Sequence, residues 1–195
     1  MDTPRDQLLR LLVQHSFQYS AEPVFTLASG RKSHYYINCK KTTFLSEAMP
    51  LLGQLFFERI KAIEQTDGKQ ISAVGGLTLG ADPIAYAIAH HSALAGEPIQ
   101  AFSARKEPKE HGAQKWVEGF EQPGARVVII EDVVTTGAST LKAIEGALHA
   151  GFAIVKVLAL VDRQEGGREE LQKSGYEMES IYTTEDLMRV ADRAM

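Results

Sequence analysis

Hydrophobic and polar positions follow two regimes along this chain. In the first, Thr3-Pro4 precedes an apolar face of Leu8, Leu11 and Leu12, which predicts a helix capped by threonine with proline in its first turn. The stretches 24–27 and 34–38 predict two strands joined by a turn at Ser29-Gly30-Arg31. Ser46 predicts the cap of a second helix whose apolar face carries Met49, Leu52, Phe56, Phe57 and Ile60. From residue 71 the second regime begins. Short β-rich runs lie at 71–74, 99–103, 127–130, 154–161 and 178–182. Helix-like segments separate most of them, at 82–95, 139–150 and about 167–174, with another at 184–193. Strands alternating with helices of this length predict parallel β-α-β units covered on both faces. The run 127–130 has no polar alternation, as expected of a central strand. Ligands of such sheets bind outside the carboxyl ends of the strands, which directs the search for chemistry.

Composition narrows the class. The chain has 195 residues, near one typical domain, with 44% hydrophobic and 24% charged positions. Its 21 basic and 25 acidic residues leave a net charge of −4, which argues against a nucleic-acid partner. A single cysteine, Cys39, rules out an internal disulfide framework and a multi-cysteine zinc site. It is expected to be a buried small hydrophobe, and its isolation fits a reducing, cytoplasmic compartment. No apolar run approaches the ~20 residues of a membrane span, and the charged start of the chain lacks a signal-peptide pattern, so no membrane partner is expected.

Candidate chemistry concentrates in three segments. The first is 127–140, where an apolar run meets Glu131 and Asp132 and passes through Val133, Val134, Thr135, Thr136, Gly137, Ala138 and Ser139 into a helix. Free amides at a helix start, with hydroxyl donors and a flexible glycine, make an anion site. Two acids would repel a bare phosphate, so the ligand should also present hydroxyls or a metal ion, as a phosphorylated sugar does. A plain β-α connection with surface acids is the competing reading. No Gly-Lys-Ser/Thr follows, and the glycines of 75–80 lack the dinucleotide spacing.

The second segment, 105–122, is long, polar and set between two expected strands, as functional lids are. Arg105, Lys106, Lys109 and His111 crowd cations into it, suited to a leaving group that gains negative charge. The third is Val161-Asp162-Arg163-Gln164-Glu165, where Arg163 at a strand end can pair with a planar carboxylate. Its plainer role is a salt bridge to Asp162 or Glu165.

The 127–140 stretch closely resembles the ribose-phosphate motif of type I phosphoribosyltransferases. Within that family, Arg105-Lys106-Glu107-Pro108-Lys109-Glu110-His111-Gly112 looks like the catalytic loop of orotate phosphoribosyltransferases. Residues 25–36 are similar to their N-terminal hood motif, and 161–165 to their substrate-carboxylate segment.

The resemblance implies a Rossmann-like parallel five-stranded sheet flanked by helices, with a small N-terminal hood and a flexible catalytic loop. The chain 1–195 would be a single domain: about 1–45 helix and hood, 46–195 core, the loop at about 105–120. The implied reaction is transfer of 5-phosphoribosyl from phosphoribosyl diphosphate to orotate with Mg²⁺, giving orotidine 5′-phosphate and diphosphate in pyrimidine biosynthesis. Glu131 and Asp132 would face the ribose hydroxyls, and Val133 through Ser139 the 5-phosphate. Arg105, Lys106, Lys109 and His111 would surround the diphosphate, with Lys109 or His111 as proton donor. Thr135 and Arg163 would place orotate, flanked by Tyr36 and Ile37. No protein ligand to the metal is assigned, and a homodimer with the loop shared between subunits is expected. Two departures stand out: Ala28 and the stretch Leu79-Gly80-Ala81-Asp82 lack lysines common in the family. Lys32, Lys40, Lys41 or the amides of 75–80 are candidate replacements. A purine-using enzyme of the same fold would have less reason for Arg163. A non-enzymatic sensor of phosphoribosyl diphosphate would be expected to carry an extra nucleic-acid-binding region.

Overall fold

The computed structural model describes residues 2–26, 30, 32–107 and 115–194, with side chains through residue 191. The first helix, α1 (Pro4–Leu11), starts as expected. The Thr3 hydroxyl accepts the Asp6 amide at 3.1 Å, and the Asp6 carboxylate accepts the Thr3 amide at 3.2 Å, a reciprocal capping box. A π-helical turn, Leu12–Ser16, leads into β1 (Phe17–Tyr19). The hood follows as β2 (Phe25–Thr26), β3 (Lys32–Ser33) and β4 (Tyr35–Ile37). The expected pairing of 24–27 with 34–38 needs correction. β2 pairs with the short β3, whereas β4 pairs antiparallel with β1, a strand too brief to show a sequence pattern.

The short α2 (Lys40–Thr43) precedes α3 (Ala48–Asp67). Ser46 does not cap α3. Glu47 enters the helix already in helical dihedrals, with φ −70° and ψ −25°, so no extended residue folds a side chain back onto the first amides.

The core sheet is built from β5 (Ala73–Leu77), β6 (Gln100–Ala104), β7 (Val117–Gly119), β8 (Arg126–Val134), β9 (Ala153–Asp162) and β10 (Met178–Thr183). Between them run α4 (Asp82–Leu94), α5 (Ala138–His149) and α6 (Gly167–Lys173), with α7 (Thr184–Ala194) last. The order is β10-β9-β8-β5-β6-β7. The five expected strands are all parallel, and the sixth, β7, adds antiparallel to β6 from within the polar segment 105–122. That edge strand shortens the expected lid at its C-terminal end.

Alternation on β8 explains the layering. Val128 and Ile130 pack with α3 and α4 residues such as Phe56 and Ile88 on one face. Val127 and Ile129 pack with Ala143, Ile144 and Ala147 of α5 on the other. Each such buried aliphatic side chain contributes about 1.5–3 kcal/mol of transfer free energy. Connections leave β5 toward β6 and leave β8 toward β9, so the chain changes direction between β5 and β8. The carboxyl ends of that pair form the crevice where a ligand is expected.

Candidate active site

β8 runs four residues beyond the expected 127–130, so Glu131 and Asp132 lie inside the strand rather than after it. Adjacent strand residues point to opposite faces, and the two carboxylates therefore meet different surroundings. Glu131 is buried; it accepts the Thr140 hydroxyl at 3.1 Å and the Asp132 amide at 3.2 Å. Burial, then the neighbouring Asp132 charge and a hydrogen bond between the carboxyls, push its pKa up to about 8. Asp132 is also buried, and its Oδ1 accepts the Val133 amide at 2.9 Å. Its Oδ2 has no hydrogen-bond partner among the described residues; Lys40 Nζ lies 3.5 Å away as an ion-pair partner. The spare acceptor of the acid pair is thus on Asp132. Gly80, in the loop after β5, backs this carboxylate so closely that a Cβ there would sit 2.6 Å from Oδ1.

The turn after β8 starts α5 without a side-chain cap, leaving first-turn amides for an anion. Gly137 adopts φ +83°, a conformation other residues rarely take. Thr136, Ala138 and Ser139 are exposed, Thr135 is half-buried, and Val134 and Gly137 are buried. Gly167 closes the turn from behind, where a Cβ would lie 2.7 Å from the Thr135 carbonyl oxygen.

Arg163 follows β9 beside the same turn, its amide donating to the Val134 carbonyl at 2.9 Å. The side chain is only 7% exposed and stacks over the Tyr35 ring at 5.0 Å. Its Nη2 lies 2.8 Å from Glu165 Oε1 without hydrogen-bond alignment, and its buried Nε has no acceptor among the described residues. The plainer expectation, a salt bridge to Glu165, is present, but on a buried guanidinium still short of acceptors. That is a place for a planar carboxylate. Gln164 holds φ +59° in the following turn, with its amide bound to Asp162 Oδ1 at 2.8 Å.

Strand alternation separates the aromatic residues of the hood. Tyr35, not Tyr36, contacts Arg163. Tyr36 stacks on Phe25 with centroids 6.1 Å apart, and the Ile37 side chain is packed into the core at 5% exposure. Arg105 donates to Glu118 at 2.7 Å, between β6 and β7, and Lys106 is exposed. Lys109 and His111 lie outside the described residues. Trp116 stacks on His149 of α5 at 4.5 Å, and Cys39 is fully buried as expected, its thiol pKa raised well above the usual range by desolvation first.

Sequence reasoning assigned no role to Tyr35 or Thr140, named Glu165 only as a salt-bridge partner for Arg163 and Gly80 only among the loop amides, and offered Lys40 as one of three candidate lysines. Tyr35 was within reach through the two-residue period of the hood strand. Lys40 was not, because its proximity to Asp132 arises only when the hood folds over the sheet.

No group of three or more His, Cys, Asp or Glu among the described residues could hold a metal. A divalent cation here would take most of its oxygens from the ligand, and Asp132 Oδ2, ion-paired with Lys40 but without a hydrogen-bond donor among the described residues, could lie at the edge of such a complex.

The crevice at the strand switch point, with an anion turn, acids beside it and a buried arginine, describes a site for a phosphorylated sugar and a carboxylate-bearing partner. Residues 50–187 match the model of the phosphoribosyl transferase domain, and the chain belongs to that family. Curated relatives narrow it. The chain is 45% identical to an orotate phosphoribosyltransferase of Aquifex aeolicus, over 94% of this chain and 97% of that one. It is 42% identical to one of Synechocystis, over 95% and 89%. The fold matches the crystal structure of Mycobacterium tuberculosis orotate phosphoribosyltransferase in complex with 5-phospho-alpha-D-ribosyl 1-diphosphate, with a TM-score of 0.74 and 36% identity over 95% and 99% of the chains. Within the family the protein groups with the orotate phosphoribosyltransferases.

Proposed function

We propose that this protein transfers the 5-phosphoribosyl group from phosphoribosyl diphosphate to orotate, forming orotidine 5′-phosphate and diphosphate in pyrimidine biosynthesis. The observation that carries the reading is the meeting, at the carboxyl ends of β8 and β9, of the spare Asp132 oxygen, the Gly137 turn and the acceptor-short Arg163. The C1–O bond to diphosphate breaks with its electron pair leaving on oxygen. The bond from C1 to the orotate ring nitrogen forms, and that nitrogen gives up its proton. The Gly137 turn and the amides opening α5 hold the 5-phosphate, with Thr135, Thr136 and Ser139 as hydroxyl donors. Asp132 accepts a ribose hydroxyl and opposes the positive charge that develops on the sugar. Glu131, whose pKa burial pushes up, neighbours it in the strand and accepts its amide.

Arg163 receives the orotate carboxylate through Nε and Nη2, with Thr135 beside it and the hood strand 35–37 along the ring. Arg105, Lys106, Lys109 and His111 stabilise the departing diphosphate, with Lys109 or His111 as its proton donor. Asp132 would lie at the edge of a bound Mg²⁺, which would supply neutralisation of charge on the leaving group. The same reading includes cytoplasmic residence and a homodimer that shares the catalytic loop. Supporting the dimer, Leu79, Tyr86 and Leu94 leave 62%, 55% and 76% of their surfaces exposed on α4 and the loop before it.

The test is loss of orotate absorbance on adding phosphoribosyl diphosphate and Mg²⁺, run beside adenine, hypoxanthine and uracil. Orotate alone should be consumed. Arg163→Ala should raise the KM for orotate roughly a hundredfold, since the lost pair is charge-assisted on both sides, with little change in the KM for phosphoribosyl diphosphate. Turnover of a purine in preference to orotate would overturn the assignment.

A further inference from the structure

One cation joins the hood to the acid pair. Lys40 opens α2 directly after the hood strand β4, and its Nζ lies 3.5 Å from Asp132 Oδ2. The two partners are held very differently. The Asp132 side chain is 5% exposed and fixed by its strand, whereas that of Lys40 is 48% exposed. Beneath Lys40 the backbone is anchored: Cys39 and Thr42 are fully buried, and the Thr42 hydroxyl is 2.6 Å from that of Ser16. The four-carbon stem can therefore swing while its base stays in place. A partly exposed pair of this kind is weak, so a stronger partner can take the ammonium away.

Across the crevice, residues 78–81 carry no cationic side chain and offer amides instead. The loop 78–81 after β5 reads Thr-Leu-Gly-Ala, and Gly80 faces the same carboxylate with only backbone. A diphosphate entering here meets two buried carboxyls on β8 and needs positive charge from the hood side.

We propose that Lys40 is a substrate-binding residue that exchanges partners, covering Asp132 in the empty site and turning to the diphosphate of phosphoribosyl diphosphate when a ribose hydroxyl takes over Asp132 Oδ2. The proposal rests on the functional reading above and singles out Lys40 among the three candidate lysines by its distance to Asp132.

Steady-state kinetics and calorimetric binding on the full chain test it, with Lys40→Met, Lys40→Gln and Lys40→Arg. The neutral variants should raise the KM for phosphoribosyl diphosphate roughly tenfold to a hundredfold, the effect of one charge-assisted contact. Their melting temperature should stay close to the parent, and Lys40→Arg should restore most of the loss. Orotidine 5′-phosphate, which has the ribose phosphate but no diphosphate, should bind the neutral variants with less than about threefold change, since only solvent-exposed charge is altered. Equal loss for both ligands, or an unchanged KM for phosphoribosyl diphosphate in a folded neutral variant, overturns the role of Lys40. A parent protein that neither binds phosphoribosyl diphosphate nor consumes orotate overturns the functional reading instead.

Discussion

Glu131 and Asp132 are neighbours of nearly the same chemistry, and the strand they share makes them unlike. Asp132 Oδ2 has a half-exposed counter-ion in Lys40 but no hydrogen-bond donor among the described residues, while Glu131 is enclosed with a hydroxyl, an amide and another carboxyl. Its pKa, pushed up from 4.5 to about 8 by burial first, has a consequence for stability. Between those two values the folded chain binds a proton that the unfolded chain has released. Stability must then fall as pH rises through this window, because the unfolded state binds fewer protons. At about 1.4 kcal/mol per pKa unit, the loss is on the order of a few kcal/mol. Without substrate, the melting temperature should drop from pH 5 to pH 9. In Glu131→Gln that drop should shrink, and the variant should melt above the parent at pH 9. A parallel pair of curves would mean that Glu131 is ionised throughout.

At the scale of elements, the turn between β8 and α5 depends on one backbone conformation. Gly137 at φ +83° would carry a Cβ 3.1 Å from the Gly167 carbonyl oxygen, so Gly137→Ala combines dihedral strain with a close contact. It should cost about 1–3 kcal/mol and weaken binding of phosphoribosyl diphosphate. Gly124 has nearly the same dihedral, φ +80°, with nothing within 4 Å of its Cβ position. Gly124→Ala should lower the melting temperature too but leave that affinity intact, which separates fold strain from site damage. The same contrast shows what was legible in the sequence. The unalternated run 127–130 and the glycine, threonine and serine after it marked a buried strand and an anion turn without any structure. The three-residue strands β1 and β7 left no pattern, because a strand that short is defined by the backbone it pairs with. Ser46 had the right chemistry for a cap but the wrong approach, since the chain reaches α3 already helical. The order of the hood strands and the placing of Lys40 and Tyr35 come from packing between distant segments, on which local periodicity is silent.

At the scale of the whole molecule, the sheet brings Asp132, the Gly137 turn and Arg163 to one crevice, whereas Lys109 and His111 follow β6 in sequence and lie outside the described residues. Tyr86, one of the exposed apolar residues of α4, has its hydroxyl 3.3 Å from Ser103 of β6. A dimer formed over this surface would bring each loop toward the other subunit's crevice, and the two halves of the site could then be tested apart. Lys109→Ala should be impaired because its loop is defective, and Asp132→Ala because its crevice is. In a mixed dimer of the two, one crevice has an intact Asp132 and receives an intact Lys109 from the neighbouring chain, while the other has neither. Random pairing would put half of the chains into such dimers with one working site of two, so recovery should approach roughly a quarter of the parent activity. The measurement is turnover of orotate after co-refolding or prolonged mixing, with subunit exchange confirmed by native mass spectrometry. Exchange without recovery would show that each loop serves its own chain, and the shared site would have to be abandoned.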